Sequence, residues 1–219
     1  MERKLLGRHD EDRLGPYKMN PLLNADGSLG AVACELLHAV TGVRMDLLQA
    51  ARIRRSRQNW LRAPWYGYHR GGAITVGRTI WFTRKWFRKD GFGDGSIEST
   101  WRWMLHLAHE VGHLEQAARF GLNFQGKVRY VAAFVGQYGK RAFLLKRDVH
   151  DGAPLEREAD RGRWVLLRII RNEPLSHPLV QAMHTNDATA MRELLRGVGK
   201  EIGAAHAAYT AAMETSSPV

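Results

Sequence analysis

Two histidines and a glutamate in this chain stand at a spacing that can hold and use a metal ion. Residues 109–113 read His-Glu-Val-Gly-His, a match to the zinc-hydrolase pattern H-E-x-x-H. A helix turns once per ~3.6 residues, so positions four apart lie on one face. His109 and His113 can therefore aim imidazole nitrogens at one ion. Glu110 sits one step round, beside the ion. A catalytic zinc takes three protein ligands and keeps a fourth position for water. The ion lowers the pKa of that water toward ~7, and a neighbouring carboxylate takes its proton as it attacks a carbonyl. Glu110 is the candidate for that base. The competing reading is two ordinary helix histidines beside a solvated glutamate.

Two histidines leave the site one ligand short. Residues 155–160 read Leu-Glu-Arg-Glu-Ala-Asp, inside a segment 154–171 that predicts a helix with Pro154 at its start. Glu156 and Asp160 are four apart and share a face, while Glu158 points elsewhere. With Glu156 on the metal, Asp160 lands one turn on. There it can accept a hydrogen bond from a ligand histidine and fix its tautomer. That pairing favours Glu156 as third ligand, with Glu158 or Asp160 as alternatives. Taken alone, the segment would read as a surface helix of Glu–Arg pairs, given Arg157, Arg161 and Arg163.

Peptide hydrolysis also needs a donor for the oxyanion of the tetrahedral intermediate. His150 and Tyr138 are candidates, and Tyr130 and His177 are eligible. The sequence does not choose among them. His106 faces roughly the same way as His109 and reads as a packing residue before a ligand.

These side chains need elements to position them. Residues 98–120 predict one long helix, with Trp101, Met104, Leu105, Ala108, Val111, Leu114 and Ala118 as its apolar stripe. Gly112 costs ~1 kcal/mol in a helix interior. Its reason would be to let another element approach the metal face closely. Residues 72–82 are β-branched and aromatic, broken by Gly77, and predict a hairpin or bulged strand. Residues 51–57 are a weaker strand candidate. A strand edge beside the zinc helix could hold an extended peptide through main-chain hydrogen bonds, or simply cover the helix. Residues 29–40 predict an apolar helix containing Cys34. Residues 189–197 and 200–213 predict two helices separated at Gly197 to Gly199. The expected fold is α+β and mainly helical, with a small sheet or hairpin over the His109–His113 helix. The expected division is a basic, helical extension (1–48), a catalytic core (49–175) and a helical segment (176–219) with a short mobile tail, together one compact unit.

The run from Gly72 to Phe82, the string His-Leu-Ala-His-Glu-Val-Gly-His-Leu-Glu-Gln at 106–116, and residues 155–160 resemble the metallopeptidase-like domains of bacterial contractile injection systems. These include the extracellular injection-system core domain and the toxin domains attached to VgrG spikes and Rhs proteins. The Glu-x-x-x-Asp arrangement is similar to that of the thermolysin and HtpX groups, the gluzincins. The resemblance covers about residues 50–171. It implies a zincin-like fold, one zinc on His109, His113 and Glu156, Glu110 as base, and Asp160 behind the ligands. It also implies an effector or toxin acting on a peptide or protein, with an injection machine or its spike as partner. The segment 114–116, Leu-Glu-Gln, departs from relatives that carry two apolar residues before the glutamine.

Composition bounds the alternatives. At 219 residues and 44% hydrophobic content, the chain is long and apolar enough for a real core. Cys34 is the single cysteine, which excludes an internal disulfide and a multi-cysteine metal site. No apolar run approaches the ~18 residues of a membrane span, and the first residues lack an apolar signal core. The expectation is a protein kept in the cytoplasm, or exported without a cleaved signal as injected effectors are.

The net charge of +11 opens other readings. Arg44, Arg52, Arg54, Arg55, Arg57 and Arg62 lead into Trp60, Trp65, Tyr66 and Tyr68. Basic and aromatic residues so mixed could bind nucleic acid or an anionic surface. A solvated basic face is the simpler reading. Arg84, Lys85, Arg88 and Lys89, with Trp86 and Phe87, form a second cluster, expected in a loop that could rim the cleft. Three functions therefore stand: a zinc peptidase, a catalytically silent structural or cargo module of an injection machine, and a basic nucleic-acid- or envelope-binding protein with a chance motif.

Overall fold

The structure, a computed structural model, describes residues 20–56, 72–88, 93–139 and 153–215. Apolar residues at helical spacing make most of them helix. Leu36, Leu37 and Val40 share the buried side of α1 (Ala31–Thr41), which ends where Gly42 turns left-handed at φ 74°. The short α2 (Met45–Ala50) follows, then β1 (Arg52–Arg55), β2 (Ala73–Val76) and β3 (Thr79–Phe82). A 3-10 turn (Arg84–Phe87) leads to α3 (Ile97–Glu110), α4 (Gly112–Phe120) and α5 (Phe124–Gly139). The chain closes with α6 (Pro154–Ala159), α7 (Arg161–Ile169), α8 (Pro178–His184) and α9 (Ala188–Thr215). The fold is α+β and mainly helical, with one small sheet among the described residues.

The sheet has the order β1-β3-β2. β1 runs parallel to β3 with Ile53 opposite Ile80, and β2 runs antiparallel with Thr75 opposite Ile80. Gly77 takes φ 64° in the β2–β3 turn, a conformation that suits glycine. This is the hairpin expected over 72–82, joined by the strand expected over 51–57. β2 is an edge strand and packs on α3 and α4.

α7 lies at the centre of the helices, against α1, α3 and α9. Gly162 allows the approach, since a Cβ there would stand 2.7 Å from the Ala108 carbonyl oxygen of α3. One hydrophobic core holds Leu36 and Leu37, Ile53 and Leu107, and Leu179 and Ile202, so all three expected segments contribute to it. Cys34 is buried in it, and burial pushes its thiol up to about 11.

Four expectations are corrected. The helix over 98–120 is two, meeting at Val111, where Leu114 N–H bonds the Val111 carbonyl at 3.0 Å and the turn tightens. The helix over 154–171 likewise divides at Asp160. The two C-terminal helices are one, because packing on α1 and α7 carries α9 through Gly197 and Gly199. Trp86 and Phe87 do not rim a cleft. They are buried with Phe82 and Trp103, with ring centroids 4.8–5.5 Å apart. Such aromatic pairs contribute ~0.5–1.5 kcal/mol each beyond burial.

Candidate metal centre

Ser96 caps α3 by accepting the Ser99 N–H at 3.1 Å, and Trp103, Met104 and Leu107 anchor the helix in the core. That anchoring points His109 toward Glu156 of α6 and Glu110 toward Thr75 of β2. Across the bend at Val111, α4 places His113 on the same side. Pro154 starts α6, whose first turn carries Glu156 inward. His109, Glu110, His113 and Glu156 are all buried, at 5–7% exposure. Four ionisable groups are not buried together without something to compensate them.

Three ligand atoms converge. His109 Nε2 lies 3.1 Å from Glu156 Oε2, His113 Nε2 lies 3.7 Å from the same oxygen, and the two Nε2 atoms are 3.3 Å apart. Ligands at ~2.0–2.1 Å on a tetrahedral ion stand about 3.3 Å from one another. The triangle therefore matches a small tetrahedral cation in size. The group could hold a metal ion.

The outer nitrogens fix the tautomers. His109 Nδ1 is 2.8 Å from Asp160 Oδ1, and His113 Nδ1 is 2.8 Å from Gln116 Oε1. The Gln116 amide is oriented by donating to the Leu155 carbonyl at 2.7 Å, so its oxygen faces the histidine. Each imidazole thus donates from Nδ1 and turns its Nε2 lone pair inward. Two lone pairs and a carboxylate oxygen facing one another call for a positive charge between them. Burial opposes a charged His109, but bonds to Asp160 and Glu156, with Glu110 nearby, raise its pKa to about 10. Burial would raise the Asp160 carboxyl, yet His109 and Arg163 hold it below its ordinary value. Without a metal the centre would keep a proton in its place.

Glu110 is set apart from the three. Thr75 of β2 places its hydroxyl 2.9 Å from Glu110 Oε2 and 3.2 Å from the Glu110 carbonyl. The hydroxyl donates to the carboxylate and ties β2 to Glu110. Phe134 of α5 meets the His113 ring edge to face at 5.3 Å. Behind it Tyr130 is 2% exposed, and its hydroxyl has no hydrogen-bond partner among the described residues. Burial first, then Glu110 and Glu156, push the Tyr130 pKa up, so its hydroxyl stays protonated and keeps a proton to donate.

The remaining candidates are elsewhere. Glu158 pairs with Arg119 at 2.6 Å on the half-exposed side of α6 and is not one of the three. His177 is engaged in capping α8, accepting the Leu179 N–H at 3.3 Å. His106 packs edge-on to Trp86 at 4.3 Å, and burial, then Arg163, His109 and Arg102, hold its pKa at about 4. Tyr138 lies on α5 but its side chain is outside the described residues, as are His150, Arg57, Trp60, Arg62, Trp65, Tyr66, Tyr68 and Lys89. Arg44 contacts Asp46 and Glu115, and Arg52 and Arg54 contact Asp26. Sequence reasoning missed Gln116 and Thr75. The glutamine's position three residues after His113, on the same helix face, was the available signal for the first. No helix among the described residues is long and apolar enough to cross a membrane. Compared with protein-family models, curated proteins and solved structures, the chain matches none.

Proposed function

We propose that the protein is a zinc-dependent peptidase with His109, His113 and Glu156 as ligands and Glu110 as general base. The observation that carries this reading is the ligand triangle, with edges of 3.1, 3.3 and 3.7 Å and with both outer imidazole nitrogens engaged. Two imidazoles and one carboxylate suit zinc, and a three-ligand set is that of a catalytic site. A zinc ion bound there supplies Lewis acidity and a water of pKa near ~7.

The chain's own residues then act on the proton. Glu110 accepts it from the attacking water and returns it to the leaving nitrogen. Thr75 holds Glu110 Oε2 and leaves the other carboxylate oxygen for this exchange. Tyr130, a buried hydroxyl with no partner among the described residues, is the candidate to hydrogen-bond the oxyanion. The edge of β2 beside Glu110 suits an extended peptide, which would add to the sheet through main-chain bonds. By the motif resemblance, the setting would be an effector delivered by a contractile injection system.

Metal analysis and a paired mutant test this. One zinc per chain is expected, and a folded protein that takes up no metal would sink the reading. Glu110→Gln should keep the metal and lower cleavage of unfolded protein or cell-wall peptide by at least 10²–10⁴-fold, the range typical of a lost acid–base group. Equal turnover by wild type and this variant would instead favour a silent structural or cargo module.

A further inference from the structure

α5 has two apolar faces. One carries Tyr130 and Phe134 and closes over the His113 side of the metal centre. The other carries Phe124, Val128, Val131 and Val135, at 80%, 52%, 42% and 65% exposure. Steps of four, three and four residues place these four in one narrow stripe, about 110° round the helix from Tyr130 and Phe134. A stripe of large apolar side chains left in water marks an interaction surface.

Charge selects the partner. The 16 residues of α5 include Lys127 and Arg129 and no acid. Lys127 reaches over the β2–β3 turn, where a Cβ on Gly77 would stand 2.6 Å from its Cε, and so comes beside exposed Arg78. Lys127, Arg129 and Arg78 make no ion pair among the described residues. A second copy docked on this face would bring like charges together. An anionic surface with an apolar interior satisfies both the stripe and its cationic flanks.

The geometry points to α5 as a docking helix that lies in the plane of an anionic lipid bilayer, Phe124, Val128, Val131 and Val135 inserted. The docked helix would lie between the lipid and the His113 side of the metal centre, within about one helix diameter, ~10 Å, of both. This inference stands independently of the peptidase reading.

The full chain can be tested on vesicles of phosphatidylcholine, with and without a third phosphatidylserine. Val131→Cys is labelled with an environment-sensitive fluorophore, since buried Cys34 does not compete for the reagent, and Glu193→Cys on α9 is the control. Emission from position 131 should move to shorter wavelength only with the anionic vesicles, while position 193 stays unchanged. Phe124→Gln/Val135→Gln, both at exposed sites that the fold does not need, should weaken binding on the order of a hundredfold. An unshifted label at 131, or equal binding by the double variant, would overturn the assignment and leave mere attraction of a basic chain. A dimer in sedimentation that the double variant abolishes, without any label shift on vesicles, would overturn it in favour of self-association.

Discussion

Gly112 and Ala159 meet backbone to backbone beside the candidate metal centre. A Cβ on Gly112 would stand 2.7 Å from Ala159 Cα and 2.8 Å from its carbonyl oxygen. Those atoms belong to α6 and cannot swing aside as a flexible side-chain tip would. The contact sets how far the helix carrying Glu156 lies from the helix pair carrying His109 and His113. Gly112→Ala therefore gains ~1 kcal/mol of helix propensity and loses more to overpacking, typically ~1–3 kcal/mol. A lower melting temperature and weaker metal binding by calorimetry are expected together. Unchanged metal affinity would mean that the triangle does not depend on this approach.

The outer bonds of the histidines predict a different pattern. Asp160→Asn and Gln116→Leu leave all three ligands in place. The first removes the negative charge that His109 Nδ1 meets at 2.8 Å, and the second removes the acceptor that His113 Nδ1 meets at 2.8 Å. Losses of about 10–100-fold in metal affinity are expected, the usual cost of such partners. Competition with a chelator of known affinity measures this. Glu158→Gln breaks a half-exposed pair with Arg119 and alters the weaker of two acceptors of the Gln116 amide, 3.3 Å away against 2.7 Å for the Leu155 carbonyl, so it should cost less affinity than Gln116→Leu.

The centre was legible to the extent that it is local. His109 and His113, and Glu156 and Asp160, are pairs at helical spacing, and helical spacing alone puts each pair on one face. The space Gly112 makes was foreseeable for the same reason. What the sequence withheld comes from far along the chain. Gln116 matters because the Leu155 carbonyl arrives from 39 residues away, and Thr75 reaches Glu110 across 35. The bends at Val111 and Asp160 carry no signal, since both residues keep right-handed backbone at ψ −23° and −11°. Trp86 and Phe87 belong to a segment too short for periodicity to separate loop from core. Their burial follows from Phe82 and Trp103, which only the fold brings near.

The long C-terminal helix offers a gain in stability. Gly197, Gly199 and Gly203 lie inside α9, and a Cβ at each would meet nothing within 4 Å. Their cost is chiefly the backbone freedom each gives up on folding. Alanine at each should add roughly 0.4–1 kcal/mol. The triple variant should melt at a higher temperature, with metal affinity unchanged. A lower melting temperature would show that α9 bends at these glycines.

His106 sets an acid limit on the fold. Its ring is neutral when folded, held at about 4 by burial and then by Arg163, His109 and Arg102, against an ordinary value of 6.5. The unfolded chain takes up a proton there as pH falls below 6.5, and the folded chain does so only near 4. The folded value is depressed, so the stabilisation is complete above 6.5 and is lost as pH falls through that window. The slope this group adds is at most about 1.4 kcal/mol per pH unit. His106→Phe keeps an aromatic ring against Trp86 and has no proton to gain. Denaturant unfolding of the metal-free proteins from pH 7 to 4 should give the variant the flatter profile. Parallel profiles would assign the acid sensitivity to groups other than His106.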